Sequence, residues 1–141
     1  MSISMTKFQD FAEQIGLKQH NLNTETFKIA LSNTAPTNTD TTFAPGGAHP
    51  PPAAANGYTS GGHDITNVWS ESGGTATFNG TDVTITATAG GIGPFRYILI
   101  YNDDNATDMV GPGFYDHGSS ITLNDGESYV FDILTNIFTL A

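Results

Sequence analysis

Residues 95–102, FRYILIYN, decide the fold class of this chain. Successive side chains of an extended strand point to opposite faces, and one face of this stretch carries only aromatic and aliphatic side chains. The other face carries Ile98 and Ile100 beside Arg96. Because apolar residues on both faces are typical of a strand that is covered on both sides, the stretch predicts a central strand.

Segments with strand character recur on either side of it. Residues 26–32, TFKIALS, alternate apolar and other side chains, which predicts a half-buried strand. Further strands are expected near 65–70, 75–78, 83–87, 109–115 (interrupted by GPG), 120–123, 128–134 and 137–140, with turn signals at Gly73-Gly74, Asn79-Gly80 and, as the clearest hairpin signal, Asn124-Asp125-Gly126. Strands and helices do not alternate, so we predict an all-β fold, a two-sheet antiparallel β-sandwich resembling a jelly roll.

One short helix is expected at the start of the chain, over residues 6–16. Thr6 and Gln9 have the spacing of a capping box, and Gly16 is a plausible stop. Phe8, Phe11 and Ile15 form its apolar face. A short helix is marginal by itself, so this face is expected to dock either on the chain's own sheet or on a neighbouring subunit.

The middle of the chain carries FAPGGAHPPPAAANGYTSGGHD, residues 43–64. We call residues 43–57 the proline-rich span and predict a semi-rigid surface arm or long loop, since consecutive prolines favour polyproline II. The chain is predicted to be a single domain, 1–141, with 26–32 and 65–141 in the sandwich. Candidate partner contacts are Phe43, Pro45, His49, Pro50, Pro51 and Pro52 in the span, Tyr58 just after it, and the apolar helix face.

Charge and composition exclude several functions. The chain has 4 basic and 14 acidic residues and a net charge of −10, which disfavours nucleic acid and anionic membranes as partners. It contains no cysteine. Neither a run of about 20 apolar residues nor a signal peptide is evident, so synthesis and initial retention in a cytoplasm are expected.

No motif predicts catalysis or a cofactor. The four histidines lack the local spacing of zinc sites, and neither a GxSxG nucleophile nor a phosphate-binding loop occurs. Asp103, Asp104, Asn105 and Asp108 in the loop NDDNATD are weak calcium candidates, and an ordinary turn is the alternative. We therefore expect no enzyme activity, no cofactor and no bound metal.

Several phrases together resemble small structural proteins of tailed-bacteriophage virions. They are the early TFKIALSNTAPT, NGYTSGGHDI, IGPFRYILIYND and the closing DHGSSITLNDGESYVFDILTNIFTL. The resemblance implies a capsid decoration, or cement, protein. Such a protein would be made in the bacterial host cytoplasm, sit as a dimer or trimer on the virion exterior, and stabilise the shell of the major capsid protein.

Two alternatives stay open from the sequence. One is a tail or neck component. The other is a carbohydrate- or receptor-binding module, in which aromatic side chains offer stacking faces: Tyr58, Trp69, Tyr97, Tyr101, Phe114 and Tyr115. Core packing is the competing explanation for most of these aromatics.

Overall fold

The computed structural model describes residues 4–43, 49–105, 110–133 and 135–141. These residues form antiparallel sheets and one helix, which confirms the all-β prediction. The elements are β1 (Met5–Lys7), α1 (Gln9–Gly16), β2 (Phe27–Ser32), β3 (His63–Asp64), β4 (Val68–Ser72), β5 (Thr75–Asn79), β6 (Val83–Thr86), β7 (Ile92–Asn102), β8 (Val110–Leu123), β9 (Ser128–Phe131) and β10 (Phe138–Leu140).

The largest sheet has five strands in the order β1-β8-β7-β2-β3. The predicted central strand, β7, lies in its middle: Leu99 pairs with Phe114 of β8 on one side and with Ala30 of β2 on the other. The prediction that residues 26–32 are half-buried is wrong. Ile29, Ala30 and Leu31 are all fully buried, because β2 lies between two strands and both of its faces are covered.

Two smaller sheets complete the fold, with the strand orders β10-β5-β4 and β6-β9. Gly73-Gly74 forms the turn of a hairpin, since Ser72 of β4 pairs with Thr75 of β5. Both glycines have positive φ, 60° and 87°, as the common two-residue hairpin turn requires.

The other two turn signals do not make hairpins. Asn124-Asp125-Gly126 forms a turn, but it leads from β8, which pairs with β7 and β1, to β9, which pairs with β6. Asn79-Gly80 likewise leads from β5 in one sheet to β6 in another. The turn predicted at Asn124-Asp125-Gly126 is therefore correct. The strands on its two sides pair with other strands, so the turn does not form a hairpin.

Strand β8 is one strand of 14 residues, not the two predicted pieces. Its early glycines allow neighbouring strands to approach closely. A side chain at Gly113 would overlap the Thr6 carbonyl of β1, and one at Gly111 would come within 2.8 Å of the Ile100 carbonyl oxygen of β7. The GPG sequence therefore continues the strand where a break was expected; the predicted start at Met109 lies outside the described residues.

The predicted capping box is wrong, although the helix ends at Gly16 as expected. Thr6 belongs to β1 and pairs with Phe114 of β8. Phe8 occupies the N-cap position with an extended backbone and no side-chain cap bond. The first helical N–H, that of Gln9, instead donates to the Asn38 carbonyl at 2.8 Å. Among the described residues, no helix has the length and apolar character needed to cross a membrane.

Candidate interaction surface

The apolar helix face packs mainly on its own chain. Phe8 is 0% exposed, and its ring lies 5.2 Å from that of Phe114 in β8. Phe11 is also buried, with its ring 5.5 Å from that of Phe138 in β10. These contacts give both rings a role in the core, and Ile15, which is half-buried, is the most exposed of the three predicted contact residues.

The proline-rich span begins inside the core. Phe43 is 0% exposed, and its ring centroid lies 4.8 Å from that of Tyr101 in β7. Tyr58, just after the span, is buried as well, and its hydroxyl accepts a hydrogen bond from the Leu31 N–H of β2 at 3.1 Å. Tyr58, predicted as a partner contact, therefore anchors the end of the span to the chain's own sheet.

The described remainder of the span also lies on the chain itself. His49 is buried, and its Nε2 lies 2.8 Å from Asp40 Oδ2. Burial opposes ionisation of Asp40, but hydrogen bonds from Thr37 and His49 outweigh it and hold the pKa of Asp40 below its usual value. This pair fixes the segment that starts at His49 against the loop before Phe43.

Pro50 adds a contact between the span and the end of β2. The Ser32 hydroxyl, at the end of β2, donates to the Pro50 carbonyl at 3.1 Å. Pro50 is exposed, and Pro51 and Pro52 are half-buried, so these three keep some accessible surface. Pro45 lies outside the described residues. Phe43 and Pro50 hold the described span to the five-stranded sheet, and Asn56 holds its end to Thr88 and Gly91, just after β6, so the span contacts its own chain, which the sequence alone left undecided.

The described carboxylates of the acidic loop contact Thr26 and Lys28. Asp104 Oδ2 accepts from the Thr26 N–H at 2.6 Å, and Asp103 Oδ2 lies 3.9 Å from Lys28 Nζ. Asn105 Nδ2 donates to the Gln19 carbonyl. Asp108 lies outside the described residues. Within the described part, no cluster of three or more histidine or acidic side chains that could hold a metal is found, and the ordinary turn stays a prediction for this loop.

A buried histidine network was missed by the sequence analysis. His20 lies between the rings of Phe11 and Phe27, at 5.1 and 5.7 Å, and Asn102 Nδ2 lies 3.1 Å from its Nδ1. The same Asn102 nitrogen donates to Glu25 Oε2 at 2.8 Å. Burial lowers the pKa of His20, which keeps the ring neutral near pH 7. Asn102, which joins His20 to Glu25, is distant from both in the sequence, so no local motif predicts the network.

The candidate stacking aromatics are mostly core residues. Tyr101 and Phe114 are buried, and Trp69 is half-buried against Phe138 at 5.8 Å. Tyr97 and Tyr115 also pack against the core. Burial raises the pKa of Tyr115 to about 12. These contacts favour core packing over a sugar-stacking platform.

The helix and two strands form a concave surface, which we name the α1–β10 groove. It is a cavity of about 520 Å³ between the helix, β1 and β10. The helix lines the groove with Phe11, Ala12, Ile15 and Gly16. Strand β1 contributes Lys7, a positively charged lining residue. The sequence singled out the helix face but gave no sign that the last strand would form the opposite wall.

The groove lies where two sheets end. β1 is the terminal strand of the five-stranded sheet, and β10 is the terminal strand of the three-stranded sheet. Leu140 of β10 lines the groove and is 53% exposed. Within the described residues, the outer edges of β1 and β10 are not paired. An apolar concavity beside such edges is the kind of surface that protein partners use.

Comparison of the chain with protein-family models, curated proteins and solved structures finds no match. A function is therefore proposed from the geometry and charge of the chain and from the resemblance of its sequence.

Proposed function

We propose that this chain is a non-enzymatic decoration, or cement, protein of a tailed-bacteriophage capsid. It binds the outside of the major capsid protein shell as a homo-oligomer and stabilises that shell. The observation that carries the proposal is the α1–β10 groove, an apolar docking surface on an otherwise acidic chain with net charge −10. The virion-like phrases of the sequence supply the identity of the partner.

The proposed architecture is a jelly-roll-like sandwich. The five-stranded sheet forms one layer, and the two smaller sheets together form the other. Ring contacts between the layers support this arrangement: Phe27 of β2 lies 5.2 Å from Phe78 of β5, and Tyr115 of β8 lies 5.2 Å from Phe131 of β9. A rigid sandwich suits a clamp, because a preformed surface loses little conformational freedom on binding.

The physical basis of shell stabilisation is mass action. A protein that binds the assembled shell and not its dissociated subunits stabilises the assembly by its binding free energy. The excess of acidic residues fits an outer position, since an acidic surface does not compete for the packaged DNA.

A catalytic role for the Asp40–His49 pair finds no support in its surroundings. A histidine that activates a nucleophile must lie within hydrogen-bond reach of it. In the described part of the chain, His49 Nδ1 has no hydrogen-bond partner, and Nε2 faces Asp40. The pair is best explained as a structural tie for the proline-rich span.

The proposal is tested with capsid shells of the phage that encodes the chain. Purified chain is mixed with undecorated shells and sedimented, and shell melting is followed by calorimetry. We expect saturable binding to the shells and a higher melting temperature at saturation. Binding to isolated tails but not to shells would instead identify a tail or neck component, and binding to neither would overturn the proposal.

A further inference from the structure

Two asparagines of the sequence are followed by a glycine, in the pairs Asn56-Gly57 and Asn79-Gly80. At such a pair the backbone nitrogen of the glycine can attack the side-chain amide carbon of the asparagine, because glycine has no Cβ to hinder the approach. A five-membered imide then forms and ammonia leaves. Both asparagines are half-buried, so exposure does not separate them, but the structure holds their side chains differently.

At Asn79, the last residue of β5, the two reacting groups already lie together. The Gly80 N–H donates to Asn79 Oδ1 at 2.9 Å, which places the attacking nitrogen next to the side-chain carbonyl group. Groups that are held in contact lose little further freedom when they react. Among the described residues, the Asn79 side-chain nitrogen donates no hydrogen bond, so no contact retains the group that must leave.

At Asn56 the side-chain amide is held by a different part of the chain. Its nitrogen donates to the Gly91 carbonyl at 2.9 Å. The amide is also closely packed, since a Cβ at Gly90 would come within 2.6 Å of the same nitrogen. Attack by Gly57 therefore requires this hydrogen bond to break and the amide to turn away from Gly91, which slows the reaction at Asn56.

We propose that Asn79-Gly80 is a self-modification site, at which the folded chain slowly converts Asn79 to aspartate and isoaspartate without an enzyme. The Gly80 nitrogen loses its proton to hydroxide and bonds to Asn79 Cγ, and the C–N bond of the side-chain amide breaks to release ammonia. Water then opens the imide at one of its two carbonyls. Opening at the side-chain carbonyl gives aspartate, and opening at the backbone carbonyl gives isoaspartate.

Isoaspartate at this position changes the connection between β5 and β6, because it lengthens the backbone by one methylene. The connection is closely packed: a Cβ at Gly80 would overlap Ile65 Cγ2 and come within 2.9 Å of the Ile65 carbonyl oxygen. Ile65 is 0% exposed, and its carbonyl accepts from the Thr81 N–H at 2.9 Å and from the Thr81 hydroxyl at 3.0 Å. We therefore expect the isoaspartate form to melt at a lower temperature than the unmodified chain.

The test incubates the full chain at mildly alkaline pH in water enriched in heavy oxygen, and digests it afterwards in ordinary water. Mass spectrometry then follows the label in the peptides that contain Asn79 and Asn56, since only conversion during the incubation incorporates heavy oxygen. In the folded chain we expect Asn79 to react at least about tenfold faster than Asn56. In denaturant, where each pair has only its local sequence, we expect the two rates to agree within about threefold.

Asn79→Gln is the matched variant, because its longer side chain would have to close a six-membered ring. We expect it to abolish labelling at position 79 and to leave the rate at Asn56 unchanged. Equal rates at the two asparagines of the folded chain, a faster Asn56, or a folded chain that stays unlabelled while the denatured chain reacts would overturn the inference. An isoaspartate form, separated by its added charge, that melts with the unmodified chain would overturn the expected loss of stability.

Discussion

Phe43 offers the sharpest test of how the proline-rich span is held. Its side chain is 0% exposed and packs 4.8 Å from the ring of Tyr101, itself 1% exposed. Replacing a fully buried Phe by Ala typically costs about 3–5 kcal/mol. We therefore expect Phe43→Ala to lower the free energy of unfolding by about 3–5 kcal/mol, a large part of the stability of an ordinary domain.

Denaturant unfolding measures this effect through the transition midpoint at an unchanged m-value. Phe43→Leu, which keeps much of the apolar volume, is expected to lie between the wild type and Phe43→Ala. The matched control is Val68→Ala, an exposed position where a change of no more than about 0.5 kcal/mol is expected. If Phe43→Ala lowered the free energy of unfolding by less than about 1 kcal/mol, Phe43 would not be packed in the core, and the span would be a free surface arm.

Three further changes test other contacts. Tyr58→Phe removes the acceptor for the buried Leu31 N–H and is expected to cost about 1–3 kcal/mol in denaturant unfolding; a neutral result would show that this N–H has another partner. Because burial lowers the pKa of His20, the unfolded chain binds a proton near pH 6.5 while the folded chain does not; stability is full above that pH and falls as the pH drops toward the folded pKa. Unfolding measured between about pH 7 and pH 5 is expected to show a steeper loss in the wild type than in His20→Phe, and parallel curves would contradict this. Gly62→Ala is expected to destabilise by about 2 kcal/mol or more, since its φ is +102° and the new Cβ would overlap a β2 carbonyl, whereas Gly73→Ala, with φ +60° and open space, is expected to cost about 1–2 kcal/mol; equal losses would refute the overlap.

Much of the fold was predictable wherever the signal is local. β7 was identified because both of its faces are apolar, and β10 because an apolar run closes the sequence. The Gly73-Gly74 hairpin follows from the need for positive φ at both positions. In each case the residues that decide the structure are neighbours in the chain.

The errors share one physical cause, which is that distant pairing overrides local preference. Thr6 has capping chemistry, but pairing with Phe114 of β8 places it in a strand. Asn124-Asp125-Gly126 forms a turn, but β9 pairs with β6 and not with β8. Strand preference depends strongly on such context, which a local pattern does not contain.

The candidate site was predictable only in part. Ile15 was identified from helical periodicity, and it lines the α1–β10 groove. The opposite wall, with Leu140, lies more than a hundred residues later in the sequence, and only the folded chain brings the two together. Phe8, Phe11, Phe43 and Tyr58 were predicted as partner contacts, but all four are buried in the chain's own core, and a sequence pattern does not tell whether an apolar side chain packs on its own chain or on another.

An electron cryomicroscopy reconstruction of the parent phage particle tests the central claim most directly. The account predicts density for this chain on the outer surface of the capsid shell, with the α1–β10 groove facing the shell protein. Density for the chain confined to the tail or neck, or a groove that faces solvent on the decorated shell, would contradict it.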